Sequence, residues 1–361
     1  MKISLSRDAL ADAVAWTAHA LTPRPSVPAL AGLLLEAGDG LTVSAFDYDT
    51  SRRARISADV HHPDRVLLPG RVLVEVAKAL PKGGKPVEIV TDGSEAVLTC
   101  GSAEFGLPAM PVEDYPTLPK TPPTAGVVDA ATFASAVSQV APATTRDETI
   151  PMLTGVRVDS ASHQLTLAAT DRYRIAARTL PWTPHTAAHA MIPGKVLADI
   201  AKSLPPGDVT IGLGDGLAGF ESLGRSTTVR LLDEQFIDYR ARLTADWPIH
   251  ADVAVAPLIA AVKRVALVAD KNTAIRLTFR QGQALIQAGG GDIGRGTEVL
   301  EAELTGGDIE IAFQSQFLLD GLTGIAGERV RVHMTAPAKP ALLTEADDPA
   351  FRYLVMALRL S

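Results

Sequence analysis

The chain holds one cysteine, Cys100, in 361 residues. A disulfide framework is therefore excluded, and a lone thiol points to a reducing cytoplasm. Aromatic residues are few, at 5%, and no window approaches the roughly 20 uncharged apolar residues of a membrane-spanning helix. Met1 to Arg7 contain no basic stretch leading into an apolar core, so no export signal is expected. Positive charge is in deficit, with 34 Lys+Arg against 41 Asp+Glu and a net −7. That balance argues against a surface that coats nucleic acid indiscriminately, yet leaves room for a local basic face. Disorder is excluded too, because 47% hydrophobic and 21% charged residues lie in the globular range. The length exceeds the roughly 250–300 residues at which one core stops growing, so two or three domains are expected.

The chain does have an internal repeat. Leu10, Ala13 and Val14 stand at i, i+3 and i+4 with Thr17 at i+7. The template returns at Phe133, Ala136, Val137 and Val140, and again at Leu258, Ala261, Val262 and Val265. Each predicts the apolar stripe of an amphipathic helix. A second helical template, Leu73, Val76, Ala77 and Leu80, recurs as Leu197, Ile200, Ala201 and Leu204, then as Leu318, Gly321, Leu322 and Ile325. Its first two copies open on Pro69-Gly70-Arg71 and Pro193-Gly194-Lys195, proline being tolerated in a first turn.

Strand-like segments repeat in register. Pro28 to Leu33 matches Pro151 to Val156 and the shorter Ala274 to Leu277. Leu41 to Ala45, Leu165 to Ala169 and Ala284 to Ala288 follow, trailed by Asp47, Asp171 and Asp292. Alternating apolar residues bounded by Gly, Asp and Ser read as half-buried antiparallel strands. A period of about 120 residues suits a domain and not a solenoid. The expected class is α+β: three repeated domains, each with two helices packed on antiparallel sheet. Boundaries are expected at 1–120, 121–246 and 247–361, near the six-proline stretch Pro108 to Pro123 and within the polar stretch 233–251.

Charge placement qualifies the acidic total. The expected helical windows 7–24, 69–86, 129–146, 193–206, 256–272 and 314–328 carry a net +4, which leaves −11 elsewhere. Arg71, Lys78, Lys82, Lys85, Lys195, Lys202, Lys263 and Arg264 supply most of the excess. Solvated helix faces carry Lys and Arg in any protein, so composition leaves two readings open. The shared register, with Arg71 and Lys78 falling where Lys195 and Lys202 fall, fits a repeated positive face that meets phosphates without reading sequence.

Four segments carry a family resemblance: Arg24-Pro25-Ser26-Val27-Pro28-Ala29-Leu30, Phe105-Gly106-Leu107-Pro108-Ala109-Met110-Pro111, Ala169-Thr170-Asp171-Arg172-Tyr173-Arg174-Ile175-Ala176 and Val355-Met356-Ala357-Leu358-Arg359-Leu360. They resemble the bacterial DNA polymerase III beta subunit, the sliding-clamp family, in order and spacing over residues 1 to 361. The resemblance implies a head-to-tail homodimeric ring of six domains, half of it from this chain, with helices lining a hole around double-stranded DNA. It implies no catalysis and no cofactor. Such a ring tethers the replicative DNA polymerase and receives the clamp loader and other proteins carrying short clamp-binding peptides, raising their local concentration on the template. It also implies a cytoplasmic protein with no membrane partner.

By motif position, the DNA-facing residues are Arg24, Arg71, Lys78, Lys195 and Lys202. The family's peptide pocket, between the second and third domains, matches Leu153, Thr170, Arg172, Tyr173, Arg174, Ile175, Ile237, Arg242, Pro340, Leu354, Val355, Met356, Ala357, Leu358 and Arg359. Apolar walls with a few polar groups suit an extended hydrophobic peptide. Leu153, Ile175 and Leu354 fit a domain core equally well. The ring-closing interface matches Phe105 and Leu107 against Leu267, an exposed Phe-x-Leu on an edge strand. Two departures stand out. Ile150, Pro151 and Met152 replace the family's aromatics before Leu153-Thr154-Gly155, so stacking on single-stranded template lacks its residues. Ile237 and Ala357 stand where proline is common, which frees φ and predicts a reshaped groove, as in a divergent or duplicate, resistance-type copy.

Catalytic and metal-binding patterns are weak. His185 and His189 are four apart, but Pro184 and Pro193 flank them, so an irregular connection is expected and not a two-ligand helix. His61-His62 beside Pro63-Asp64 reads as a loop. Gly289 to Gly296 lacks the Gly-Lys-Ser/Thr ending of a P-loop and is expected to form a flexible turn. No Gly-x-Ser-x-Gly elbow exists, and Cys100, without a neighbouring His, is expected to be buried. Asp47, Asp171 and Asp292 belong to separate domains, too far apart for one paired-carboxylate site. No enzyme is expected. The alternative reading is a three-domain protein-binding scaffold that does not encircle DNA, which the apolar periodicity fits equally.

Overall fold

A computed structural model describes the whole chain except residues 269–273, 292–293, 347, 349 and 360–361. Asp292 and Leu360 therefore lie outside the described residues. The helices form where the stripes predict but stop earlier than the windows drawn from sequence. They are α1 (Arg7–Thr17), α2 (Gly70–Ala79), α3 (Ala130–Val140), α4 (Gly194–Lys202), α6 (Val255–Val265) and α7 (Ser315–Thr323). A short α5 (Arg240–Leu243) sits in the stretch expected to be linker. Pro81 ends α2, leaving Leu80 extended at ψ 143°, the preference of a residue before proline. After α1, α3 and α6 the chain tightens into single 3₁₀ turns at Ala18–Ala20, Ala141–Ala143 and Ala266–Val268.

The shorter helices correct the charge argument. Lys82 and Lys85 lie in a loop, as does Arg24. The six packing helices as formed carry a net +2.

The chain divides into two compact units, Met1–Asp129 with Ser203–Leu231, and Ala130–Lys202 with Leu232–Ser361. Residues of the second repeat thus fall in both units. In the first unit a five-stranded sheet runs Asp59–His62, Lys2–Leu5, Val87–Thr91, Glu95–Cys100, Ala103–Pro108. A second sheet runs, within this unit, Thr124–Asp129, Asp208–Gly214, Leu217–Ser222, Arg225–Arg230, Thr50–Ile56, Gly40–Phe46, Gly32–Gly38, Asp64–Pro69. Between them α1 and α2 bury Leu10, Val14, Leu73 and Ala77 against Leu33, Leu41, Leu68 and Leu98. Cys100 is in that core, 1% exposed.

The second unit holds one sheet of twelve strands: Ala188–Pro193, Gly155–Ala161, Gln164–Thr170, Arg174–Pro181, Phe351–Val355, Ala341–Glu345, Arg329–Met334, Ile249–Ala254, Gly294–Thr305, Gly282–Gly291, Ala274–Arg280, Ile309–Gln314. Pairs α3 with α4 and α6 with α7 pack on it. Gly321 stands where the template elsewhere has valine or isoleucine because Tyr353 lies against it. A Cβ there would meet the Tyr353 ring at 2.4 Å.

The repeated aspartates are turn-formers. Asp47 Oδ1 accepts from the Asp49 and Thr50 N–H groups, and Asp171 Oδ1 from those of Tyr173 and Arg174. Tyr48 and Arg172, next in sequence, both hold φ in the left-handed region, at 75° and 78°. His189 sits in the strand Ala188–Pro193, which is regular where an irregular connection was expected. Gly289 at φ 88° and Gly294 at φ 129° belong to the paired strands Gly282–Gly291 and Gly294–Thr305, so the described part of the stretch expected to be a flexible turn is strand, and residues 292–293 lie outside the described residues.

Candidate functional site

The strand Arg174–Pro181 pairs with Phe351–Val355, joining segments more than 170 residues apart and setting Ile175 opposite Leu354. This pair floors an open groove of about 530 Å³ in the second unit. Leu153 adds to the floor, and Trp247, Ile237 and Met356 form apolar walls. Thr170, Arg172, Tyr173, Arg174, Arg242 and Pro340 complete the part that sequence reasoning named. Leu153, Ile175 and Leu354 are 3%, 5% and 7% exposed, so each is both core and groove floor.

Four named residues do not line the groove. Along Phe351–Val355 side chains alternate, so Leu354 faces the groove and Val355, 0% exposed, faces the interior. Beyond it the Leu358 N–H bonds the Ala312 carbonyl at 2.7 Å. That bond fastens the tail along the strand Ile309–Gln314 and carries Ala357, Leu358 and Arg359 off the groove. Met152, Ala245, Trp247, Thr335 and Lys339 line it without having been named. The tryptophan in an otherwise polar linker was their one visible signal.

The groove's edge is held by one buried guanidinium. Arg174, 7% exposed, donates to Asp171 Oδ2 at 2.9 Å, to the Tyr353 hydroxyl at 3.1 Å, to Asp320 and to the Pro142 carbonyl. Its carbon sits 4.5 Å from the Phe317 ring centroid, on which Tyr173 also stacks at 5.8 Å. Burial opposes the charge, but Tyr353, Asp320 and Asp171 outweigh it and hold the proton more firmly than usual. α5 is pinned by buried Tyr239 and Leu243 and by Arg240 on Asp159 at 3.1 Å. This anchoring leaves Arg242 at the groove's mouth.

Behind Trp247 lies His333, its ring 6.4 Å from the indole and 6.3 Å from His250. Burial, with Arg331, His250 and Arg352 against a weaker pull from Asp252, lowers its pKa to about 4. Its folded pKa is below its unfolded value near 6.5, so the stability this gives is complete above pH 6.5. It is lost as pH falls toward 4, by about 2 kcal/mol after allowance for partial exposure. His333→Gln should therefore flatten the stability profile between pH 6.5 and 4 in denaturant titrations. An unchanged slope would refute the assignment.

The predicted basic residues Arg24, Arg71, Lys78, Lys195 and Lys202 are all exposed. Seven residues turn a helix through almost two full circles, so Arg71 and Lys78 share one face of α2, opposite buried Leu73, Val76 and Ala77. Lys195 and Lys202 do the same on α4. α7 has Gln316 and Thr323 instead, and on α6 Arg264 is committed to Glu298 by two 2.7 Å bonds.

The predicted interface residues divide. Leu267 is 80% exposed and Phe105 36%, but Leu107 is only 4% exposed and belongs to the first unit's core. The expected exposed Phe-x-Leu is thus an exposed Phe alone.

Comparison with known proteins gives one answer. Family models of the DNA polymerase III beta subunit match residues 1–119 (N-terminal domain), 127–238 (central domain) and 245–359 (C-terminal domain). The chain is 46% identical to the beta sliding clamp of Streptomyces coelicolor over the whole of both chains. It is 40% identical to the beta sliding clamp homolog GriR of Streptomyces muensis over 99% of each. Crystal structures of the Bacillus subtilis sliding clamp and of a Pseudomonas aeruginosa clamp bound to griselimycin superpose over 100% of each chain, with TM-scores of 0.95 and 0.94 at 25% identity. The chain belongs to the DNA polymerase III beta subunit family, the non-catalytic sliding clamps of DNA replication.

Proposed function

We propose that two copies of this chain close head to tail through the strands Ala103–Pro108 and Gly294–Thr305, and that the ring so formed slides on duplex DNA in the cytoplasm. One observation carries the reading. In all three repeats the chain crosses back by the same bond, from the Met110, Leu232 and Leu358 N–H groups to the Leu67, Met191 and Ala312 carbonyls. Counting back five residues makes Phe105, Thr227 and Tyr353 equivalent. Thr227 lies opposite Arg52 and Tyr353 opposite Ala176. Arg52 and Ala176 in turn face Ala45 and Ala169, the alanines that end the repeated strand. The third such alanine, Ala288, faces Gly296.

Phe105 is therefore the counterpart of two cis-paired residues, and Gly296 of their two partners. Among the described residues neither has such a partner within the chain. Their exposure agrees: Thr227 and Tyr353 are 2% and 0% exposed against 36% for Phe105. A second copy supplies the missing pairing, with Phe105 opposite its Gly296, a residue that brings no side chain of its own to the pair. The native chain, once loaded, should stay on circular DNA and leave when that DNA is linearised. Release indifferent to topology would favour the scaffold reading.

Arg71, Lys78, Lys195 and Lys202, with Arg24, form the DNA-facing set on this reading. Replacing Lys195 and Lys202 by Ala, which removes both lysines from each of the ring's two copies, should weaken binding to any duplex sequence and reduce the slope of log K against log salt by about 4. Equal slopes in both proteins would remove these residues from the set.

The groove is the peptide site, and Ile237 in its wall supports reading this chain as a divergent or duplicate, resistance-type copy. Ile237→Pro with Ala357→Pro should change affinity for clamp-binding peptides several-fold, the effect coming from Ile237 because Ala357 is off the groove. Indistinguishable affinities would leave an ordinary clamp.

A further inference from the structure

We propose that an ion pair between copies selects the closing edges of the ring: the Glu95 carboxylate of one copy, with Glu104 beside it, takes Arg295 of the other. The inference rests on the head-to-tail reading above and adds to it a determinant of which edges can meet. An antiparallel pairing that sets Phe105 opposite Gly296 sets Gly106 opposite Arg295. One residue on from the counterparts already aligned, Gly106 corresponds to Thr228 and Leu354, and Arg295 to Ser51 and Ile175. Those two pairs are each matched within the chain. Ser51 Oγ lies 2.6 Å from Thr228 Oγ1, and Ile175 stands opposite Leu354. All four are buried, whereas Gly106 and Arg295 are both exposed.

Glycine offers Arg295 no side chain, yet the space over Gly106 is taken. Glu95 leans across it from the neighbouring strand, and a Cβ on Gly106 would meet Glu95 Oε1 at 2.1 Å. Glycine at this position thus lets the carboxylate reach the open edge of the sheet. The faces agree. Leu107 points into the core, so Glu104, Gly106 and Pro108 lie on the other face of their strand, and Glu95 is opposite Pro108. On Gly294–Thr305 the buried residues are Ala302 and Leu304, which puts Arg295 on the outward face too. Neighbouring strands are about 5 Å apart, a span an arginine side chain covers. Glu95, Glu104 and Arg295 are exposed, and none makes an ion pair among the described residues. The strand's own carboxylates do not cancel Arg295: Glu298 is bound to Arg264 and Glu303 to Arg329, and Glu301 stands about 20 Å along the strand. Two edges of like charge repel, so each edge accepts only its opposite.

The test is sedimentation of the full chain carrying Glu95→Arg or Arg295→Glu, each alone and then the two mixed in equal amounts. Alone, each variant sets like charges together at both closures, and its Kd should rise at least about tenfold at about 50 mM salt. In the mixture, heterodimers regain opposite charges at both closures, and Kd should return to within about threefold of the native value. Lost packing would not be restored by mixing. Both positions are exposed, so unfolding midpoints should match the native chain. Single variants that assemble like the native chain, or a mixture no tighter than its components, overturn the ion pair. Phe105→Ala in the same experiment separates the two readings. If it is monomeric while the charge variants assemble normally, the ion pair alone falls. If all three variants remain dimers at native affinity, these edges do not close the ring.

Discussion

Phe105→Ala should convert the dimer to a monomer at concentrations where the native chain is assembled. A buried phenylalanine contributes about 1.5–3 kcal/mol over an exposed one, and Phe105 keeps only part of that within its own chain. A head-to-tail dimer makes the contact twice, so the loss is about 3–4 kcal/mol, or 10²–10³-fold in Kd. Retention on circular DNA should fall with it, because an open ring cannot encircle. Thermal stability of the variant chain should change little, since the ring lies on a sheet edge. Leu107→Ala is the wrong probe. That side chain is in the first unit's core, and its removal costs about 2–5 kcal/mol of folding stability whatever the assembly. Sedimentation of Phe105→Ala as a dimer at native affinity would exclude this edge from ring closure.

The difference between Phe105 and Leu107 shows what was legible in the sequence. An edge strand with Phe-x-Leu could be read from residues alone, and the spacing puts both side chains on one face. Which of them the domain's own helices cover depends on the packing of α1 and α2, which no local pattern records. The helical stripes were readable because burial repeats at fixed spacing, as at Leu73, Val76 and Ala77 on α2. Helix ends were less so: the windows ran on through Lys82 and Lys85 although Pro81 stops the helix. In the groove, contiguous motifs led to a contiguous list, which took in Val355 where strand alternation excludes it. Thr335 and Lys339 were out of reach for another reason. They approach the groove only through the pairing of Arg174–Pro181 with Phe351–Val355, a contact of long sequence separation. Gly321 was visible as a break in the template, but its cause, the Tyr353 ring, was not.

Arg174→Met should destabilise the second unit by about 3–5 kcal/mol, because it leaves Asp171 and Asp320 as partly buried carboxylates without their cation. Their side chains are only 11% and 21% exposed, and Asp320 sits on α7 while Asp171 shapes the turn that presents Arg172 and Tyr173. In a unit of this size the unfolding midpoint should drop by about 10 °C or more. Changing Asp320→Leu as well should restore part of the loss, since one stranded charge is then gone. Arg172→Gln, two residues away, is the matched contrast. Arg172 is exposed and makes no ion pair among the described residues, so stability should move by less than about 0.5 kcal/mol. If calorimetry shows equal midpoints for Arg174→Met and the native chain, the buried guanidinium is not what holds α7, the turn and the Phe351–Val355 strand together. With the expected drop, two arginines separated only by Tyr173 have separate work: Arg174 fixes the wall, and Arg172 stands exposed on the turn which that wall supports.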